Sequence, residues 1–412
     1  MTASRRSLER AARSEWAAVL AVLARDVHDL ALAEDAVQEA FVAAMERWPK
    51  TGAPARPAAW LTVVARRAAL RRLRRDRSQL AEAEVLEQLE DASQVDPAQA
   101  PEIPDARLAL LCACCHRSLS LEAQVALTLR TVSGLTTREI AHAFWTDEAT
   151  MAQRLVRART KVQRSKIPFE VPPPERIDEA LSAVLGVLYL TFNEGYAATG
   201  GPDRVRIDLC AEGVRLALLV AELCPDRPEA LGLASLTLAH HARRAARVGD
   251  DGRSVPLEEQ DRALYDQGTI ARAEDLLRRA TALDAPGPYQ VEAAIACAHA
   301  CARSAEETDW ALIASLYAAL AVMTPSPFVE LNRAVAVGLS DGPDAGIALL
   351  ERLHREHAKL TEHHLLHSAL AELHRRAGRR AEAHACYERA IALAPPGGTR
   401  EDLEHRRAGL PR

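Results

Sequence analysis

Apolar residues recur at helical spacing along most of the chain, and residues 31–47 give the first clear case. Leu32, Ala36, Val37, Ala40 and Ala44 share one broad arc, while Asp35, Glu39 and Glu46 gather opposite. The pattern predicts an amphipathic helix. A Trp- and Pro-rich loop within WPKTGAPARPAAW follows, and a second helix is expected over residues 58–77. Residues 121–166 predict three further helices. One covers about 121–132 and stops at Ser133-Gly134. The next starts at Thr136, with Glu139 three residues on, which is capping-box spacing. Thr146-Asp147 caps the third. There Met151, Leu155, Ala158 and Val162 make an apolar stripe, and Arg154, Arg157, Lys161 and Arg164 make a cationic one on another face.

Prolines punctuate this pattern twice, at Pro97, Pro101 and Pro104, and in the run IPFEVPPPE that ends at 175. Proline lacks the helix N–H and disfavours helix in the residue before it, so the second run predicts a domain boundary. Beyond it nearly everything reads as helix with short Gly/Pro turns. A degenerate repeat appears, clearest where Gly378 is followed by Ala383, Tyr387, Ala390 and Pro395. Leu277, Ala280 and Pro286 echo it, as do Tyr317, Leu320 and Pro325. The pattern is similar to the second helix of a tetratricopeptide repeat, where small and aromatic residues interlock helix pairs. An irregular helical bundle is the alternative, and either is all-α.

Composition sharpens the fold class. The 412 residues suffice for two or three domains, and aromatics make up only 4%. The core must therefore be Ala, Leu and Val, a mixture that favours helices over sheets. No apolar run is long enough to cross a bilayer, and the N-terminus lacks a signal core, which predicts a cytoplasmic protein without a membrane partner. Eight cysteines without framework spacing predict reduced thiols.

Charge divides the chain. Residues 1–80 hold 15 Lys/Arg against 9 Asp/Glu, and residues 106–170 hold 10 against 5. Residues 81–105 hold eight acids and no Lys or Arg, and residues 171–412 hold 27 basic against 35 acidic side chains. Any anion-binding surface therefore lies in the first 170 residues. Its first candidate is the run Arg66, Arg67, Arg71, Arg72, Arg74, Arg75 and Arg77. Arginine's planar fork suits phosphate, and so many on one helix repel each other unless anions are near. Trp60 precedes the run and reads either as a base-stacking platform or as a core anchor. The second candidate is the stripe beginning at Arg154, on a helix suited to the major groove, with Gln153 and Arg154 near its N-terminal half and Arg159 and Lys161 farther on.

Other clusters are weaker. Cys112, Cys114, Cys115 and His116 form CACCH, but they sit in an apolar helical stretch with no second ligand pair, so packing is favoured over zinc. His363, His364 and His367 read as surface histidines. Phe192 to Tyr196, FNEGY, reads either as a binding or regulatory motif or as a helix terminus, with Gly195 permitting a tight turn. No nucleophile elbow, phosphate loop or metal-ligand helix is visible, so neither catalysis nor a cofactor is expected.

The stretches LAEDAVQEAF and WP…PAAWLTVVARRAA resemble region 2 of bacterial RNA polymerase sigma factors of the extracytoplasmic-function type. EAQVALTLRTVSGLTTREIAHAFWTDEATMAQRLVRARTKV resembles region 4 of the same family. YLTFNEGYAATG, GPYQVEAAIACAHA, TDWALIASLYAAL and FVELNRAVAV resemble the helical C-terminal extension of one subgroup. The resemblance implies region 2 over 1–80, an acidic linker over 81–106, region 4 over 107–168 and a tetratricopeptide-like extension over 175–412. It implies a factor that directs RNA polymerase to promoters. Asp35, Gln38 and Glu39 would face the polymerase β′ clamp helices. Trp60, Arg66, Arg67, Arg71 and Arg72 would serve the −10 element, with the loop at 48–58 holding a flipped base. Thr150, Gln153, Arg154, Arg157, Arg159 and Lys161 would serve the −35 element, with region 4 leaning on the β flap. The linker would thread the polymerase cleft or stay a solvated tether. The extension would regulate the rest in cis and present a surface to an unknown protein or small ligand. One departure is that Leu70 leads directly into Arg71-Arg72, where region 2 often places an acid or amide. Outside the resemblance, the residues also fit a stand-alone helix-turn-helix regulator or a repeat-type scaffold.

Overall fold

The computed structural model describes residues 3–75, 83–97, 106–144, 146–196, 207–249 and 255–410, and they are helical throughout the regular elements. The chain divides into two compact units, Met1–Glu212 and Gly213–Arg412. The division falls inside a helix.

In the first unit α1 (Ala3–Val27), α2 (Leu30–Thr51) and α3 (Pro57–Arg75) pack together around fully buried Leu20, Leu23, Ala33, Val37 and Leu61. Asp29 starts α2 by accepting from the backbone N–H groups of Ala31 and Leu32, and Gly52 ends it at φ 81°, a conformation that suits glycine. Next comes α4 (Ala83–Gln94), inside the stretch expected to be an acidic linker. It packs on α3 with Leu89 buried, so this part is a docked helix rather than a solvated tether. Glu90 pairs with Arg74 on α3, and one buried leucine supplies the apolar contact.

Region 107–196 holds α5 (Arg107–Cys114), α6 (Leu121–Thr131), α7 (Thr137–Ala143), α8 (Glu148–Arg164) and α9 (Pro174–Tyr196). The three helices expected over 121–166 are α6 to α8. Thr136 caps α7 in a complete capping box with Glu139, and Asp147 caps α8 through Thr150 N at 2.7 Å. Gly134 takes φ 68° in the turn. α9 packs on α5 and α6, beyond the Pro-rich run expected to close the module. Its Gly195 lies against the next helix, α10 (Ile207–Leu223): a Cβ there would meet Cys210 N at 2.5 Å. The FNEGY segment is thus a close helix–helix joint.

In the second unit successive helices pack on their neighbours: α11 (Pro228–Ala242), α12 (Gln267–Thr281), α13 (Pro288–Cys301), α14 (Trp310–Met323), α15 (Pro327–Ser340), α16 (Pro343–Glu356), α17 (Ala358–Thr361), α18 (His364–Arg376), α19 (Arg380–Leu393) and α20 (Gly398–Ala408). The repeat residues sit where interlocking needs them. Tyr387 and Ala390 on α19 are buried against Ala371 of α18, and Ala383, Ala280 and Leu320 are buried as well. No helix among the described residues is long and apolar enough to cross a membrane.

Candidate nucleic-acid and polymerase interface

The arginine helix and the acidic helix hold each other. Arg72 reaches Asp35 at 2.7 Å and Glu39 at 2.6 Å, and Arg71 reaches Glu39 at 3.3 Å. Burial works to raise the Glu39 carboxyl, but hydrogen bonds and charge from Arg72 and then Arg71 outweigh it and hold it below its ordinary range. Arg66 is paired with Asp26 at 2.7 Å. Arg67 donates to Val95 O at 3.0 Å, and Arg74 pairs with Glu90 on α4. Mutual repulsion along α3 is thus relieved from within the chain. Asp35 and Gln38 remain exposed, as does Arg71. Arg77 lies outside the described residues.

Trp60 is buried, 5% exposed, with its ring edge-on to Trp48 at 5.5 Å. Of the two sequence readings the structure has the core anchor: a base could stack on this ring only if it left the core. The Trp–Trp contact fixes the start of α3 against the end of α2.

On α8, Met151, Leu155, Ala158 and Val162 are buried against α6 and α7. Thr150, Gln153, Arg157 and Lys161 are all exposed and share the far side. Arg154 borders this arc and lies 3.5 Å from Glu122 on α6. Arg159 stands apart. It faces α2, where its guanidinium pairs with Glu34, so it does not join the other five. Glu34 lies at the edge of the apolar arc of α2, and a carboxylate in that place is the signal that sequence reading passed over. Arg130 of α6 approaches the same carboxylate at 3.8 Å. Burial pushes the Glu34 carboxyl up, against the pull of Arg159 and Arg130.

The CACCH thiols are packing groups. Cys112, Cys114 and Cys115 are buried, Cys114 Sγ lies 3.0 Å from Thr131 Oγ1, and burial pushes its thiol up to about 12. Among the described residues no cluster of three or more Cys, His, Asp or Glu could hold a metal ion.

A basic helix paired with an acidic one, followed by a capped helix-turn-helix with a polar and cationic outer arc, defines a two-module promoter-recognition factor. Family comparisons agree: sigma-70 region 2 matches residues 13–79, sigma-70 region 4 matches 112–162, and a family of unknown function (DUF6596) matches 180–281. An uncharacterized protein of Rhizobium meliloti (strain 1021) is 42% identical over 379 residues, covering 91% of this chain and 89% of that protein. No solved structure matches. The chain belongs to the extracytoplasmic-function sigma factors that carry a helical C-terminal extension. Its partners are RNA polymerase core and promoter DNA.

Proposed function

We propose that the first unit performs recognition by a division of labour among its helices. Asp35, Gln38 and Glu39 on α2 face the β′ clamp helices. Arg71, Arg72 and their neighbours Arg66 and Arg67 supply phosphate contacts near the −10 element, with Trp60 holding α3 in place from inside. Thr150, Gln153, Arg154, Arg157 and Lys161 read the −35 element while region 4 rests on the β flap. The observation that carries this reading is the outer arc of α8: its polar and cationic side chains stand clear of a fully packed apolar stripe. The second unit regulates the first in cis. Support comes from the excess of acids over residues 171–412, against two basic modules within the first 170 residues.

Run-off transcription with purified core enzyme tests the reading. The chain should give promoter-dependent transcripts, and Arg154→Glu with Arg157→Glu should abolish them while core binding persists. Tight promoter binding by the chain alone, with no transcripts, would point instead to a stand-alone regulator. Truncation after Leu223, which keeps α9 and α10 whole, tests the regulation: unchanged output and unchanged polymerase affinity would remove it.

A further inference from the structure

Region 2 and region 4 are in direct contact in the first unit. Glu34, on α2, is 3% exposed, and one of its oxygens takes the Arg159 guanidinium from α8 and lies near Arg130 from α6. Its other oxygen, Oε1, is buried without a hydrogen-bond partner. Beside it, Gln163 Nε2 donates to Asp29 Oδ2 at 3.2 Å, so a second pair ties α8 to the start of α2. On α1, Trp16 Nε1 donates to Thr131 O at 2.9 Å, and its ring lies against Gly134, where a Cβ would sit 3.4 Å away. Contacts from Asp29, Glu34 and Trp16 therefore hold the helix-turn-helix to region 2.

This arrangement conflicts with simultaneous reading of both promoter elements. Elements centred about 25 base pairs apart lie roughly 85 Å apart along B-DNA at 3.4 Å per step. Helices α2 and α8 touch through a carboxylate–guanidinium pair. One of the two must move away before both elements are engaged.

We propose that Glu34 is a latch that closes region 4 onto region 2 in the free protein and that opens when the factor engages polymerase. The residue types suit this use. A buried carboxylate between two cations is stable while the cations stay, and it becomes an uncompensated buried charge when only one side moves, so the contact opens as a unit. Arg159 and Arg130 are 23% and 17% exposed and can pass to solvent or phosphate once released. Arg159 is thereby reserved for the closed state, while the outer arc of α8 stays available. The latch itself is an intramolecular property; its release by polymerase rests on the sigma-factor reading.

The Trp16 indole N–H, bonded to the residue that follows Arg130, reports the state of the latch in the full chain. Its ¹⁵N resonance is one of five tryptophan indoles and is assigned with Trp16→Phe. Arg159→Glu and Glu34→Arg should each shift it to the position of a solvated indole, and the double exchange Glu34→Arg with Arg159→Glu should restore it. Without DNA, Arg159→Glu should tighten apparent core-polymerase affinity roughly fivefold, because apparent affinity scales with the competent fraction, and the double exchange should reverse the gain. If the single reversals remain folded by circular dichroism and leave the indole resonance in place, the latch is refuted. If they unfold, Glu34→Gln and Arg159→Ala carry the same comparison with charge removed instead of reversed. A wild-type chain that bound no core enzyme would overturn the sigma-factor reading, and the indole shifts would still decide the latch.

Discussion

Thr136 illustrates how far a single residue can be read. Its hydroxyl oxygen accepts from Glu139 N at 3.2 Å, and the Glu139 carboxylate accepts from Thr136 N at 2.7 Å. Two backbone donors that a helix start leaves over are thereby satisfied. Thr136→Ala should cost the first unit about 1 kcal/mol, measured by urea denaturation. This was legible because cap and partner are three positions apart and the chemistry is local. Arg159 was not legible in the same way. Its partner Glu34 is 125 positions away, and helical periodicity places a side chain on a face without saying what lies opposite. Trp60 was half legible: an aromatic before a basic run fits a stacking platform or a core anchor, and the decision needed Trp48 across from it.

At the scale of elements, close approach between helices is set by glycines that composition alone does not mark out. Gly346 on α16 packs on α15: a Cβ there would lie 2.7 Å from Ala334 O and 2.7 Å from Gly338 Cα. Both are backbone atoms and cannot swing aside, so Gly346→Ala should destabilise the second unit by about 1–3 kcal/mol in thermal melts. Gly186 on α9 has nothing within 4 Å of its Cβ position. Gly186→Ala should instead stabilise by about 0.5–1 kcal/mol, as expected for a glycine inside a helix. Helix positions and their caps were legible because Ala- and Leu-rich segments carry a strong 3.6-residue period. The docking of α4 was not, since eight acids and few apolar groups read as a tether, and the Arg74–Glu90 pair and the burial of Leu89 depend on what α3 presents opposite.

For the whole molecule, half-buried histidines make stability depend on pH. Burial holds His240 down to about 3 and His299 to about 4, with nearby arginines adding to the effect. Both are neutral in the folded chain at pH 7. Below about pH 6.5 the unfolded chain takes up protons there that the folded chain refuses. Each histidine's contribution is therefore complete above pH 6.5 and falls by about 1.4 kcal/mol per pH unit on acidification, until pH nears the folded value. Thermal melts of the full chain should show the second unit losing stability between pH 6.5 and 4, and His299→Phe should flatten that loss.

The pairing of Arg72 with both Asp35 and Glu39 bears on how such factors can be recombined. A chimera that imports α2 from a relative while keeping its own α3 exchanges the counter-ions of the adjacent arginines along with the docking surface. Unless both helices travel together, the graft leaves unmatched guanidinium groups or unmatched carboxylates. Orthogonal variants for synthetic gene circuits would therefore be assembled with α2 and α3 as one inherited cassette.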